Sequence, residues 1–164
     1  MSHPPHADIS ALLLALCRAG VDFIVVGGAA CVLQGSTLTT EDLDIVHDRA
    51  PENAARLLAL LEELDAYQRH DLAGRKLRPT AAHLSGKGQL NLLTSLGPLD
   101  PLCELEPGLG YAELLPHVEE MSDGAVSIKV LDLPTLIEVK SRLGRAKDKL
   151  AVADLVALLE ERGE

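Results

Sequence analysis

The stretch Phe23-Ile24-Val25-Val26-Gly27-Gly28, followed by Thr40-Glu41-Asp42-Leu43-Asp44-Ile45-Val46, decides how the rest of the chain is read. Its first four residues are aromatic or β-branched, the composition of a short buried strand. The glycine pair that closes them predicts a tight turn, and residues 29–34 read as a short helix stopped by Gly35. In the second stretch acids and aliphatics alternate with the two-residue period of a strand. Side chains two apart on a strand share a face, so Asp42 and Asp44 form one dense negative site. Such a site is costly unless it holds cations, and oxygen donors suit Mg²⁺ or Mn²⁺. Ions held in this way activate an attacking oxygen and stabilise a departing pyrophosphate. The glycines have a matching use, because backbone without Cβ atoms approaches a triphosphate closely and offers it N–H groups. Gly27-Gly28-Ala29-Ala30-Cys31-Val32 lacks the glycine spacing of a dinucleotide fingerprint and has no Gly-Lys-Ser/Thr, which excludes those two phosphate cradles.

Outward from this centre, apolar residues at helical spacing predict a helix over 9–19, with Ser10 as a cap and Gly20 as its stop. Residues 51–64 read as a second strong helix. Residues 66–87 read as one or two strands with loops, 89–94 as a third apolar strand, and 97–110 as loop. Asp123-Gly124 between two β-rich runs is a hairpin signal. A helix follows from Pro134 to about Leu143, where Gly144 breaks it, and a last helix runs over 146–161. There is no internal repeat.

The 164 residues suit one domain with a small helical appendage: a loose N-terminus over 1–7, a core over 8–132 and helices over 133–164 packed on it. The chain is 47% hydrophobic but only 2% aromatic, so Leu, Val and Ala must fill the core. A formal net charge of −10 disfavours nucleic acid as a partner without excluding it. Nucleotides remain compatible, since divalent ions screen their phosphates. Cys17, Cys31 and Cys103 are odd in number and scattered, which predicts neither a zinc site nor a disulfide framework and fits a reduced, cytoplasmic setting. No signal peptide and no membrane span are expected.

The two quoted motifs, extended through Cys31-Val32-Leu33-Gln34-Gly35, resemble the nucleotidyltransferase superfamily, in particular its small prokaryotic branch of minimal nucleotidyltransferases and abortive-infection toxin–antitoxin members. Leu90-Asn91-Leu92-Leu93-Thr94-Ser95 resembles that branch's third strand, and Leu136-Ile137-Glu138-Val139-Lys140 with Gly144-Arg145-Ala146-Lys147-Asp148 resembles its C-terminal helices. The resemblance implies an α+β fold, a mixed sheet flanked by helices with the site at one sheet edge. It implies transfer of a nucleoside monophosphate from an NTP to a hydroxyl of a protein, RNA or small molecule. Asp42 and Asp44 would hold Mg²⁺ or Mn²⁺, with Asn91 at the position of a third metal-binding carboxylate. Gly27, Gly28 and Thr40 would bind the nucleotide, Lys140 would approach the triphosphate, and Asp148 would orient Lys140 or a neighbouring arginine.

Two departures from the family pattern each remove a charge. Asn91 stands where the family has its third carboxylate, and Leu38 where it often has an arginine. An amide serves as no general base. Two readings are therefore open: a degenerate relative that binds a nucleotide or a protein partner, in the manner of an antitoxin, or an enzyme in which another acid, Asp100 or Glu104, reaches back from beyond the strand. Outside this constellation, His47 reads as solvent-facing, Cys31 as a small buried hydrophobe, and Arg142, Arg145, Lys147 and Lys149 as a solvated basic face.

Overall fold

The computed structural model of the chain describes residues 2–163, apart from the side chain of Asp123. In chain order the elements are α1 (Ile9–Arg18), β1 (Phe23–Val26), α2 (Gly27–Leu33), β2 (Leu43–His47), α3 (Pro51–Glu63), β3 (Tyr67–Gln68), α4 (Ala81–Ser85), β4 (Leu92–Thr94), β5 (Gly97–Leu102), α5 (Tyr111–Leu114), β6 (Val118–Asp123), β7 (Val126–Leu131), α6 (Leu133–Leu143) and α7 (Ala146–Glu161). The strands form one mixed sheet in the order β3-β4-β5-β2-β1-β7-β6. β1 pairs antiparallel with β2 and parallel with β7, and β2 pairs parallel with β5.

The local signals explain most of these elements. All four residues of β1 are buried, as its near-continuous apolar run predicts for a strand covered on both faces. Asp8 caps α1 by accepting from the Ala11 N–H at 3.1 Å, and Asp132 caps α6 by accepting from the Thr135 N–H at 2.9 Å. Pro134 sits in the first turn of α6, and Gly144 ends the helix in the left-handed region. With a single Phe and no Trp in the chain, leucines fill the core. Leu12, Leu13 and Leu16 of α1 and Leu57 and Leu61 of α3 are fully buried, each contributing on the order of 2 kcal/mol by leaving water. α2 packs on β1, β2, β7 and α6, and α6 packs on α7. That group of helices walls the site described below.

Residues 97–110 differ from the loop expected of them. Their first six form β5, which is buried throughout and lies in the middle of the sheet between β4 and β2. Two prolines disguise it, because proline removes a ladder hydrogen bond. Both stand near its ends, Pro98 second and Pro101 next to last. The Pro101 carbonyl still accepts from the Leu90 N–H at 3.0 Å. β4 and β5 are joined by a tight hairpin whose closing residue, Gly97, has φ +99°. The N-terminal residues lie directly over it. Ala7 N–H donates to the Glu41 carbonyl at 2.7 Å, Asp8 N–H to that of Leu96 at 2.9 Å, and His3 Nε2 lies 2.9 Å from the Asp65 carbonyl oxygen. Residues 3–8 are thus strapped to the sheet rather than trailing from it.

His47 ends β2 and is wholly buried, with Nε2 2.8 Å from the Leu84 carbonyl oxygen of α4. It lies three residues beyond Asp44, so it faces the opposite side of the sheet. The solvent-facing position expected for it is therefore wrong.

Two outcomes follow from these contacts. A Cβ on residue 97 would lie 2.5 Å from the His6 carbonyl oxygen and 2.6 Å from the Ala7 Cα, so Gly97→Ala lowers stability by at least about 2 kcal/mol in urea titration. Burial holds the His47 imidazole below its ordinary 6.5. The unfolded chain therefore takes up a proton below that pH and the native chain does not. As pH falls from 7.5 to 5.5, the native chain loses more stability than His47→Gln does.

Candidate active site

The site grows out of the register of five consecutive strands. Asp44 lies opposite Val26 on β1 and opposite Asp100 on β5. The pairing of Leu92 with Leu99, continued by the bridge between Gln89 and Leu102, sets Asn91 opposite Asp100. The pairing of Gln68 with Leu92 sets Arg69 opposite Asn91, and the Arg69 N–H donates to the Asn91 carbonyl at 3.0 Å. Residues opposed across a ladder share a face. One row therefore runs Arg69, Asn91, Asp100, Asp44 across the sheet, with Asp42 at the mouth of β2.

Carboxylate oxygens of Asp42, Asp44 and Asp100 lie within 4.8 Å of one another. The acid beside Asp42 and Asp44 is Asp100. Asn91 stands one strand further out, just before β4, and its Oδ1 accepts from Gln89 Nε2 at 3.0 Å. Glu104 is engaged elsewhere, accepting from the Gly108 N–H at 2.6 Å and lying 3.5 Å from Arg49.

The three acids depend on one internal cation. Arg69 Nη1 donates to Asp100 Oδ1 and, at 3.0 Å, to the Leu92 carbonyl. Its Nη2 donates to Asp100 Oδ2 at 3.0 Å and to Asp42 Oδ2 at 3.2 Å. Both terminal nitrogens thus spend all their donors. The Asp100 side chain is 4% exposed, that of Arg69 17% and that of Asp42 36%. Even so, burial, and after it the charges of Asp100 and Asp42, push the Asp44 carboxyl up to about 8. Burial and the Asp100 charge also push Asp42 up. These acids share more negative charge than one guanidinium offsets.

Gly27 and Gly28 make room for this cluster. Gly27 has φ +63°, and a Cβ there would lie 2.5 Å from Asp44 Oδ2. A Cβ on Gly28 would lie 2.9 Å from Thr40 Oγ1, which itself donates to the Asp42 carbonyl at 3.0 Å. The bend therefore presses bare backbone against an acid and a hydroxyl, and only glycine fits.

A cleft of about 680 Å³ opens over these groups. Gly27, Gly28, Thr40, Asp42 and Asp44 form its floor, and α6 and α7 its far wall, where Lys140, Arg145, Lys147 and Asp148 face it. Aliphatic side chains, among them Leu102, Leu136 and Leu150, complete the lining. Asp148 is buried and held by Arg145 at 2.5 and 3.2 Å, a pairing that keeps its carboxyl below the usual range. The arginine expected as one of its two partners is thus Arg145. Cys31 also reaches the cleft, but burial pushes its thiol up, away from the thiolate a nucleophile requires. Leu38, 41% exposed, lies at the rim.

No family model and no curated protein sequence matches the chain. Solved structures do. The lincosamide antibiotic adenylyltransferase LnuA, in its lincomycin-bound crystal structure, superposes with a TM-score of 0.64 over 94% of this chain and 99% of its own, at 13% identity. A putative nucleotidyltransferase from Thermotoga maritima, TM1012, superposes with a TM-score of 0.53 over 93% of this chain and 96% of its own, at 17% identity. Along nearly its whole length the chain thus has the nucleotidyltransferase fold.

Proposed function

We propose that the chain is a divalent-metal-dependent nucleotidyltransferase, moving a nucleoside monophosphate from an NTP to a hydroxyl of an acceptor. The observation that carries this reading is the convergence of Asp42, Asp44 and Asp100 beside the Gly27 bend. The donor set suits Mg²⁺ or Mn²⁺: carboxylate oxygens only, partly buried, with more negative charge than Arg69 balances. Asp42 and Asp44 would hold the ion, with Asp100 at its edge. A bound divalent ion supplies charge neutralisation for the triphosphate and the departing pyrophosphate.

The chain's own residues do the rest. Gly27 and Gly28 let the backbone approach the phosphates, and Thr40 offers a hydroxyl beside them. Lys140, on the opposite wall, brings a compact cation to the triphosphate. Asp100 accepts the acceptor's proton as its oxygen bonds to the α-phosphorus. The bond from that phosphorus to the β-bridging oxygen breaks, and its electron pair leaves with pyrophosphate. Arg145 keeps Asp148 ionised at the cleft wall, where it orients the cationic groups of α6 and α7.

A small hydroxylated acceptor suits the site best. The cleft has the size of a small-molecule pocket and partly aliphatic walls, and a net charge of −10 disfavours a polyanion. LnuA acts on a small-molecule antibiotic, and a compound of that scale is the kind of acceptor envisaged here. Labelled-NTP incorporation into cell extracts separates the alternatives. Label in low-molecular-weight material supports this acceptor, whereas label in a protein or an RNA redirects the assignment, a protein acceptor fitting a toxin–antitoxin role.

Two measurements test the site. Asp42→Asn and Asp44→Asn abolish Mg²⁺-dependent ATP or GTP binding in calorimetry. Asp100→Asn retains that binding but lowers transfer by about 10²–10⁴-fold, whereas Asn91→Ala changes it by only about twofold; equal losses at the two positions refute the assignment of Asp100. The second measurement is the pH dependence of the Tm shift produced by Mg²⁺. The raised Asp44 carboxyl keeps a proton that the unfolded chain gives up, so the metal-free protein loses stability from pH 4 towards 8. An ion needs the carboxylate, so the Mg²⁺-induced shift grows between pH 6 and 8.5. In Asp44→Asn it is flat.

A further inference from the structure

Arg69 belongs to none of the motifs that mark the site, yet it makes the most contacts within it. Its Nη1 and Nη2 spend all four donors, two of them on Asp100, one on Asp42 and one on the Leu92 carbonyl. Its backbone is pinned as well, the N–H donating to the Asn91 carbonyl at 3.0 Å. A guanidinium held by both its main chain and its fork is fixed in place. Its charge stands at the same oxygens a divalent ion would use.

We propose that Arg69 is a positioning residue that sets the divalent-ion affinity of the site and aims Asp100. The inference rests on the metal-site reading above. Without an ion, the fork ties Asp42 to Asp100 and screens their repulsion. The two halves of the fork are unequal. Asp100 is gripped through both oxygens and is nearly sealed from solvent, whereas Asp42 is held through one oxygen, at 3.2 Å, and is 36% exposed. The Arg69–Asp42 bond is therefore the one that would yield if Asp42 and Asp44 held a divalent ion, with the Arg69–Asp100 pair kept. Each Asp100 oxygen would then retain a lone pair not used by Arg69, and its plane would stay fixed beside the ion that Asp42 and Asp44 would hold. The arrangement weakens ion binding, because a fixed positive charge opposes the incoming one, and in exchange it orients the acid that takes the acceptor's proton.

Titration with Mn²⁺, followed by the electron paramagnetic resonance signal of the free ion, reads the affinity without any reference to turnover. Arg69→Gln, which removes the charge, binds Mn²⁺ about tenfold more tightly than the native chain. Arg69→Lys keeps a charge but cannot span two carboxylates, and it binds about threefold more tightly. Damage to the fold would weaken binding, so a gain is not mimicked by a structural defect. If Arg69→Gln fails to fold, Arg69→Lys alone decides. Unchanged or weaker Mn²⁺ binding in the folded variants overturns the inference while leaving the metal site standing, provided that native binding is lost in Asp44→Asn. Absence of Mn²⁺ binding by the native chain and by every variant overturns both.

Discussion

Three carboxyl groups whose oxygens approach within 4.8 Å, in a place half removed from water, repel one another unless positive charge is supplied. The architecture around them follows from meeting that constraint. The parallel pairing of β2 with β5 brings Asp44 and Asp100 to one level. The Gly27 bend clears the space that a side chain would take from Asp44. Arg69 brings one cation from the sheet edge. The charge still outstanding is what the proposed divalent ion would neutralise.

The same constraint gives meaning to the distribution of charge along the chain. Ten of the fifteen Lys and Arg residues fall within 69–87 and 140–149, although the whole chain carries −10. The first segment supplies Arg69 to the acids. The second supplies Lys140, Arg145 and Lys147 to the facing wall of the cleft. The acidic protein thus lines one side of its cleft with cations, from α6 and α7, and the other with Asp42 and Asp44. A long polyanion would meet the acidic surface beyond the pocket, which the proposed triphosphate would not.

Much of this was legible in the sequence where the signal was local. The apolar run before Gly27, the alternation around Asp42 and Asp44, the Asp-Gly hairpin of β6 and β7, and the break between α6 and α7 at Gly144 all correspond to elements in the structure. The elements that escaped depend on partners distant in sequence. β5 was hidden by Pro98 and Pro101, which lower strand propensity but cost little near strand ends. Asn91, where the resemblance puts the third metal-binding position, lies on the first arm of the β4–β5 hairpin; Asp100, one of the two acids the sequence offers in its stead, lies directly across on the second. Leu99-Asp100-Pro101-Leu102 carries an apolar–acid alternation that fits the strand it forms. Arg69 left no such trace: nothing in Gln68-Arg69-His70 announces a contact with an acid 31 residues away. His47 was misjudged by parity alone, since an odd offset from Asp44 turns it into the core.

Relocating the third acid also changes the weight of the two readings. Silence of the site was argued from Asn91, an amide in place of a charge. The Asn91 side chain accepts from Gln89 one strand further out, and the acid beside Asp42 and Asp44 is Asp100. The charge balance that the amide called into question is therefore three acids against one internal guanidinium. Leu38 remains as the second departure. It sits at the rim of the cleft, on the loop that Ser36 ties to Asp154 of α7 at 2.6 Å. Without a cation at that rim, the positive charge lining the cleft comes from Lys140, Arg145 and Lys147. The cleft draws its positive charge from the segment of α6 and α7 rather than from the loop before the acids, so a leucine at residue 38 does not by itself empty the pocket of the charge that the proposed transfer would require.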